Sequence, residues 1–259
     1  MVLTILLGVL FTLLGFVFAS FFGVVISRVP NGESIVKPAS HCDSCGHVLK
    51  WYENIPILSY IFLGGKCKEC KARIPVFFFI YEILGGLTIC LAYVQFGLSI
   101  NFLFASLITL ILLLIGGYDY KTNTILDIFW IIFLALTIGW FIYRIVVLNH
   151  VWWHYLVGAA ALGGFFLIIK VVFYLIKKED VLGTGDVIFM AVAGLLLGFK
   201  TILIAVLVAS VVGCIIELSL IAAKKKDKES PIPFCPYLAL GVFVAMVYGE
   251  SIVNLIIGG

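Results

Sequence analysis

The chain has 259 residues, of which 63% are hydrophobic and 12% are charged. Soluble domains are roughly half apolar and about a quarter charged, so this composition excludes a soluble globular enzyme, a disordered tail and a DNA-binding domain. The net charge of +3 says little by itself. The composition predicts an all-α polytopic membrane protein with no nucleic-acid partner.

Eight apolar runs are candidates for membrane spans, since a helix needs about 20 apolar residues to cross the bilayer. They lie at about 2–27, 76–97, 101–118, 125–148, 151–176, 187–199, 201–223 and 233–257. The sixth run is short and a tight turn at 198–200 joins it to the seventh. We therefore predict eight spans, with seven as the alternative. The first run is interpreted as a retained helix, because no Lys or Arg precedes it and no A-x-A cleavage site follows it.

The basic residues predict the orientation, because they favour the cytoplasmic side. With the N-terminus outside, the cytoplasmic segments are about 28–75, 119–124, 177–186 and 224–232. These segments hold 14 of the 17 Lys and Arg residues. The basic run Lys224–Lys228 is interpreted as a topology determinant that touches anionic lipid.

The polar segment 28–75 contains two C-x-x-C pairs, Cys42/Cys45 and Cys67/Cys70, with 21 residues between them. Such pairs place two sulfurs each on one ion, and two pairs complete a tetrahedral four-thiolate shell. The alternative is two structural disulfides, but the predicted cytoplasmic side keeps thiols reduced. We therefore predict a small cytoplasmic zinc-binding loop domain in which the zinc is structural, since four thiolates leave no open position.

The remaining cysteines, and the histidines near the first cysteine pair, are not part of the predicted zinc site. His41 and His47 flank the first cysteine pair and are alternative ligands. Cys90, Cys214 and Cys235 lie in or beside apolar runs and are interpreted as packing residues.

Carboxylates within apolar runs are costly, and they are functional candidates by default. The set comprises Glu82, Asp119, Asp127, Asp186, Glu217 and Glu250. Asp119 ends one run after Gly116-Gly117, and Asp186 begins another after Gly183 and Gly185. The predicted topology brings Asp119 and Asp186 to similar depth on the cytoplasmic face, where glycines allow a peptide to approach.

Two adjacent carboxylates share a proton, so one can activate water while the other polarises a peptide carbonyl. The pair therefore favours an aspartyl protease. For either aspartate alone, a helix N-cap or an interfacial carboxylate would be the simpler interpretation. Two other classes remain: a transporter or channel that uses the acids as proton or cation sites, and a non-catalytic assembly protein whose zinc loop docks a partner.

The order of motifs resembles the type IV prepilin peptidases, membrane aspartyl proteases with a Gly-x-Gly-Asp motif. The similarity covers residues 19–30, the loop from Ser34 through both cysteine pairs, Glu82, Asp119 with Asp127, the Gly183-to-Asp186 motif and residues 232–241. The chain departs from the family pattern at Gly23, Phe77, Phe79, Leu126, Ile188 and Cys235. The last three stand where proline, lysine and glycine are usual.

The resemblance implies a bacterial inner-membrane enzyme with two activities, and a peptidase without methylase activity is the alternative. Members cleave the leader of prepilins and pseudopilins at the cytoplasmic face, and those with the cysteine loop also N-methylate the new terminal residue with S-adenosylmethionine. By position, Asp119 and Asp186 are the catalytic pair. The implied domains are 1–27 as the first transmembrane helix, 28–75 as the zinc loop linked to methylation, and 76–259 as the peptidase core. No residue is assigned to S-adenosylmethionine; Glu53 and Glu82 are polar candidates near the loop, with a structural role as the alternative.

Overall fold

A computed structural model describes residues 2–178, 183–223 and 233–257. The basic run Lys224–Lys228 therefore lies outside the described residues. The described part is helical, and its only bridges between extended segments are His41–Val48 and Lys66–Arg73. Its α-helices are α1 (Val2–Arg28), α2 (Leu58–Phe62), α3 (Val76–Phe96), α4 (Ile100–Thr122), α5 (Asp127–Val146), α6 (Trp152–Lys177), α7 (Thr184–Leu197), α8 (Phe199–Ala222) and α9 (Cys235–Ile257).

Seven of the described helices, α1, α3, α4, α5, α6, α8 and α9, are long and apolar enough to cross a membrane. The all-α multi-pass architecture is thereby confirmed. The sixth predicted span, 187–199, forms α7, whose 14 residues extend about 21 Å at 1.5 Å per residue. This is less than the roughly 30 Å of a hydrocarbon core. Gly198, at a φ of 75°, ends α7 and directly precedes α8. The number of long apolar helices in the described part therefore agrees with the alternative prediction of seven spans.

The chain divides into two compact units, residues 1–102 and 103–259. In the first unit, α1 and α3 pack closely, and the contact depends on small residues. A methyl group on Gly15 would lie 2.6 Å from the carbonyl oxygen of Gly85 and 2.9 Å from the Cα of Gly86. Backbones that approach this closely exclude any side chain larger than hydrogen. The loop 32–75 connects these two helices.

In the second unit, α6 packs on α7 and α8 packs on α9. The side chains of Phe133, Trp140, Phe189 and Leu238 are fully buried among these helices and α5. The position of α7 is set by a close backbone contact, because a methyl group on Gly158 of α6 would lie 2.7 Å from the carbonyl oxygen of Gly194. Helix α7 begins two residues before Asp186, so this packing also positions that carboxylate.

Candidate functional site

Asp119 lies in the last turn of α4 and is only 6% exposed. Its Oδ2 accepts a hydrogen bond of 3.3 Å from the backbone N–H of Cys235, the first residue of α9. Pro236 follows immediately, which suits a helix start because proline has no N–H to leave unpaired. The positive end of the α9 dipole therefore faces this carboxylate.

Asp186 lies in the first turn of α7 and is half-buried. Its backbone N–H donates a hydrogen bond to the carbonyl oxygen of Gly183, the residue immediately before the first residue of α7. A methyl group on Gly183 would lie 3.4 Å from the Asp186 carboxylate, and one on Gly185 would lie 3.4 Å from Trp130. These are ordinary contact distances, so the glycines leave free space beside the carboxylate on one side and pack against α5 on the other.

The fold brings the two aspartates together although 66 residues separate them in the chain. Their charges interact, and both carboxylates act electrostatically on the buried thiol of Cys235. Two carboxylates within a few ångströms of each other can share one proton and activate a water molecule. The structure thus places Asp119 and Asp186 within electrostatic range of each other, and their role as a catalytic pair stays a prediction.

Lys170 of α6 is a neighbour of this pair that the sequence analysis missed. Its Nζ donates a 2.6 Å hydrogen bond to Thr184 Oγ1, at the start of α7, and its charge acts on Asp186. The family pattern has a lysine at position 188, where this chain has Ile188, and the side chain of Ile188 is exposed. A positive charge near Asp186 is thus supplied from α6 instead of α7. Lys170 was visible in the sequence only as an isolated cation within an apolar run.

The other carboxylates predicted as candidates have structural contacts. Asp127 is exposed at the first residue of α5, where a negative charge is favourable to the helix dipole. Glu217 is buried and accepts a 2.7 Å hydrogen bond from the hydroxyl of Tyr237. Glu250 lies 2.7 Å from the guanidinium of Arg144.

The four cysteines of the loop converge, and their sulfur atoms all lie within 4.8 Å of one another. The Cys42–Cys70 and Cys45–Cys67 sulfurs are 3.8 and 3.9 Å apart. Disulfide sulfurs are about 2.05 Å apart, whereas four sulfurs at about 2.3 Å from a tetrahedral zinc are about 3.8 Å apart. The cluster could therefore hold a metal ion, and its spacing fits metal better than disulfides.

The two cysteine pairs have nearly the same backbone geometry. In the first, Cys42 N–H bonds to the carbonyl oxygen of His47; in the second, Cys67 N–H bonds to that of Ala72. The residue after each pair, Gly46 or Lys71, adopts a positive φ of 71° or 60°. Backbone N–H groups of Ser44 and Cys45 lower the pKa of the Cys42 thiol, and a metal ion binds the thiolate form.

Glu53 connects the two cysteine pairs through a side chain that is 1% exposed. Its Oε2 accepts hydrogen bonds from Lys50 N–H at 3.0 Å and from His47 Nε2 at 2.9 Å, and its Oε1 lies 3.3 Å from Lys68 Nζ. His47 follows the first pair and Lys68 lies within the second. These contacts, with the Lys50 N–H the largest, lower the pKa of Glu53 to about 2. Among the described residues, the group able to ligate metal comprises the four cysteines alone. The two histidines predicted as alternative ligands have other contacts: His47 contacts Glu53, and Nδ1 of His41 lies 3.0 Å from the carbonyl oxygen of Ala39.

Glu82 of α3 holds a strained residue of the loop. Its Oε2 accepts a 2.7 Å hydrogen bond from the backbone N–H of Ile57. Ile57 has a φ of 64°, and a positive φ is a genuine outlier for a β-branched side chain. Strain of this kind persists only where surrounding contacts over-determine the backbone.

Comparisons with known proteins agree with both halves of this arrangement. Residues 13–96, which include the cysteine cluster, match the family described as the bacterial peptidase A24 N-terminal domain. Residues 106–218, which include both aspartates, match the type IV leader peptidase family. No solved structure matches the chain.

Several bacterial relatives share one name. A prepilin leader peptidase/N-methyltransferase of Bacillus subtilis is 31% identical over 97% of this chain and 98% of its own length. A protein of that name from Myxococcus xanthus is 32% identical over 84% of this chain and 64% of its own length. Another, from Pseudomonas aeruginosa, is 28% identical over 93% of this chain and 90% of its own length. This chain belongs to the type IV leader peptidase family.

Proposed function

We propose that this protein cleaves the leader peptide of prepilins or pseudopilins with Asp119 and Asp186, and then N-methylates the new N-terminal residue. The observation that supports the peptidase assignment is the electrostatic interaction between these two carboxylates, which lie on α4 and α7, with Asp119 buried beside the start of α9. The relatives' names support both the substrate class and the second activity.

In the cleavage step, one aspartate is ionised and the other is protonated. The ionised carboxylate takes a proton from a bound water as the water oxygen attacks the scissile carbonyl carbon. The protonated carboxylate donates a hydrogen bond to the carbonyl oxygen, where negative charge develops. The C–N bond then breaks, the leaving amine takes the proton, and the leader departs as a carboxylate. The Cys235 N–H orients Asp119 through this cycle, and Lys170 supplies positive charge beside Asp186.

The substrate is a single hydrophobic helix with a short basic leader. A helical backbone is fully hydrogen-bonded, so the segment around the scissile bond must unwind before a carboxylate can reach it. We place the active site and the cysteine loop on the cytoplasmic side of the bacterial inner membrane, with the N-terminus outside. The seven Lys and Arg residues between positions 28 and 75, with Lys121 close to Asp119, support this orientation.

The four-cysteine cluster is assigned to a structural zinc ion held by Cys42, Cys45, Cys67 and Cys70. Four soft thiolates at tetrahedral spacing are the donor set that zinc prefers, and they leave no open position for catalysis. The loop 28–75 is assigned to methylation and 76–259 to the peptidase core. S-adenosylmethionine supplies an electrophilic methyl group when bound. The chain's task in that step is to present the new α-amino group in its neutral form and to exclude water.

The test combines purified protein, a prepilin substrate, S-adenosylmethionine and mass spectrometry of the products. We expect a product cut after the leader and heavier by one methyl group. Asp119→Asn and Asp186→Asn keep the shape of each side chain, and each should lower cleavage by about 10³-fold or more. Asp127→Asn is the matched control, because this carboxylate is exposed at the start of α5, and it should cleave normally.

A second substrate separates the two activities. Pre-cleaved pilin should still be methylated by both aspartate variants, which also shows that they are folded. Retained cleavage in Asp119→Asn or Asp186→Asn would refute the catalytic assignment. Absence of cleavage by wild-type protein across several pilin sequences would favour the transporter or assembly-protein interpretation instead.

A further inference from the structure

The first unit contains a cleft of about 550 Å³, within the size range of small-molecule sites. One wall is the C-terminal half of α1, from Val17 to Arg28. The other walls are two loop segments, 35–40 and 54–56. The cleft is lined by apolar side chains and by four polar ones, Ser20, Arg28, Ser40 and Asn54.

Among the described residues that line the cleft, Arg28 alone is charged, and it is 8% exposed. Its guanidinium donates to the carbonyl oxygens of Ser34, Pro38 and Ala39 at 3.1, 2.7 and 3.2 Å. These bonds use three of its five N–H donors. Within the described part of the chain, no carboxylate lies at ion-pair distance from it. A buried cation without a counter-ion is costly, so an anionic group in the cleft would be stabilised.

The opposite wall is fixed by a second charged side chain. Glu82 of α3 accepts the N–H of Ile57, the residue that follows the 54–56 segment, and holds it at a positive φ. Thus α1 orients one loop segment through the Arg28 guanidinium, and α3 orients the other through a carboxylate. Arg28 and Glu82 thus fix the backbone of the two loop segments that line the cleft. A cleft whose walls are held in this way is a preorganised site.

We propose that this cleft binds S-adenosylmethionine, an inference that rests on the proposed methyltransferase function. The carboxylate of the ligand's methionine part would pair with the remaining donors of Arg28. The apolar side chains of Ile35, Val36 and Ile55 offer a surface for the adenine, and Ser20, Ser40 and Asn54 offer partners for hydroxyl and amino groups. A phospholipid would satisfy Arg28 with its phosphate, but its acyl chain would leave these three polar side chains without partners, which is unfavourable.

Binding is tested directly on the full-length protein in nanodiscs of phosphatidylethanolamine and phosphatidylglycerol. Radiolabelled S-adenosylmethionine is crosslinked to the protein by ultraviolet light and the labelled peptide is mapped. Titration calorimetry gives the Kd. Val36→Trp places a bulky ring in the cleft, and Val48→Trp is the matched control, since both valines are exposed in the same loop but only Val36 lines the cleft.

We expect the label within 35–40 or 54–56, and a Kd that Val36→Trp raises at least about tenfold while Val48→Trp leaves it unchanged. Cleavage and zinc content should be normal in both variants, which excludes misfolding. Asn54→Ala should also weaken binding, by several-fold, without filling the cleft.

Three results would overturn the proposal: a label that maps elsewhere, an unchanged Kd in Val36→Trp, or co-purified phospholipid that Val36→Trp releases while the Kd for S-adenosylmethionine stays constant. In each of these, wild-type methylation shows that the proposed function survives. If the wild-type protein neither methylates pilin nor binds S-adenosylmethionine, the methyltransferase assignment itself fails.

Discussion

The contact between α6 and α7 should tolerate no side chain at Gly158. A methyl group there would lie 2.7 Å from the carbonyl oxygen of Gly194 and 2.9 Å from backbone atoms of Gly198 and Phe199. Ordinary contact begins at 3.4 Å, so the shortfall of 3.4 minus 2.7 Å is about 0.7 Å. Backbone atoms cannot rotate away as a side chain would, and α7 must therefore move. Overpacking of this size costs about 1–3 kcal/mol.

Gly164→Ala provides the matched control, because a methyl group at Gly164, also on α6, meets nothing within 4 Å. Both substitutions exchange glycine for alanine in the same helix, so the gain in helix propensity of about 1 kcal/mol cancels in their difference. We expect Gly158→Ala to unfold more readily than Gly164→Ala by about 1–3 kcal/mol in a denaturant titration in detergent. Gly164→Ala itself should match or slightly exceed the stability of the wild-type protein.

Activity provides the second readout for Gly158→Ala. A shift of α7 displaces Asp186, and a misplacement of about 1 Å can cost about 100-fold in rate. We therefore expect cleavage to fall by about 10- to 100-fold at temperatures where the variant is still folded. Equal stability and equal cleavage in the two glycine variants would refute both the close backbone contact and its role in positioning Asp186.

Four further outcomes are expected. Glu53→Gln should speed loss of the metal to a chelator, because it weakens the contacts between the two cysteine pairs, whereas Glu69→Gln at an exposed position should not. The pKa of Glu53 lies at about 2, below its ordinary 4.5. Its stabilising effect, measured as the difference in unfolding between wild type and Glu53→Gln, should therefore be full above about pH 4.5 and disappear as the pH falls towards 2. Lys170→Met should lower cleavage about tenfold, equivalent to about 1.4 kcal/mol, and Lys170→Arg should restore most of it in the same assay. Cys235→Ala should cleave prepilin at nearly the wild-type rate, because Cys235 contacts Asp119 through its backbone N–H.

Much of the fold could be predicted because the membrane demands long apolar helices, and these are visible as runs of sequence. The exception is α7, where an apolar run at 187–199 predicted a span. The helix begins three residues before the run and ends just before Gly198, and hydrophobicity alone could not distinguish this short helix from a complete crossing. The cysteine pairs were equally visible, since short C-x-x-C spacing fixes the local geometry almost independently of the rest of the chain.

The sequence could not predict interactions that depend on which side chains meet in three dimensions. Glu53 was a polar candidate without a defined partner, and its contacts with His47 and Lys68 depend on how the two cysteine pairs fold against each other. The positive φ of Ile57 contradicts the preference of a β-branched residue and is stabilised by a glutamate 25 positions away. Local propensity therefore predicts the opposite conformation at this position.

At three positions where the chain departs from the family pattern, the structure still provides what the usual residue would provide. Leu126 stands in place of proline before α5, and its φ of −74° is close to the value that a proline ring imposes. Cys235 stands in place of glycine and is fully buried, yet its backbone N–H still donates to Asp119. Ile188 removes a lysine from α7, while Lys170 brings a positive charge to Asp186 from α6. In each case the requirement is a backbone conformation, a backbone donor or a charge, and none of these specifies a single residue type.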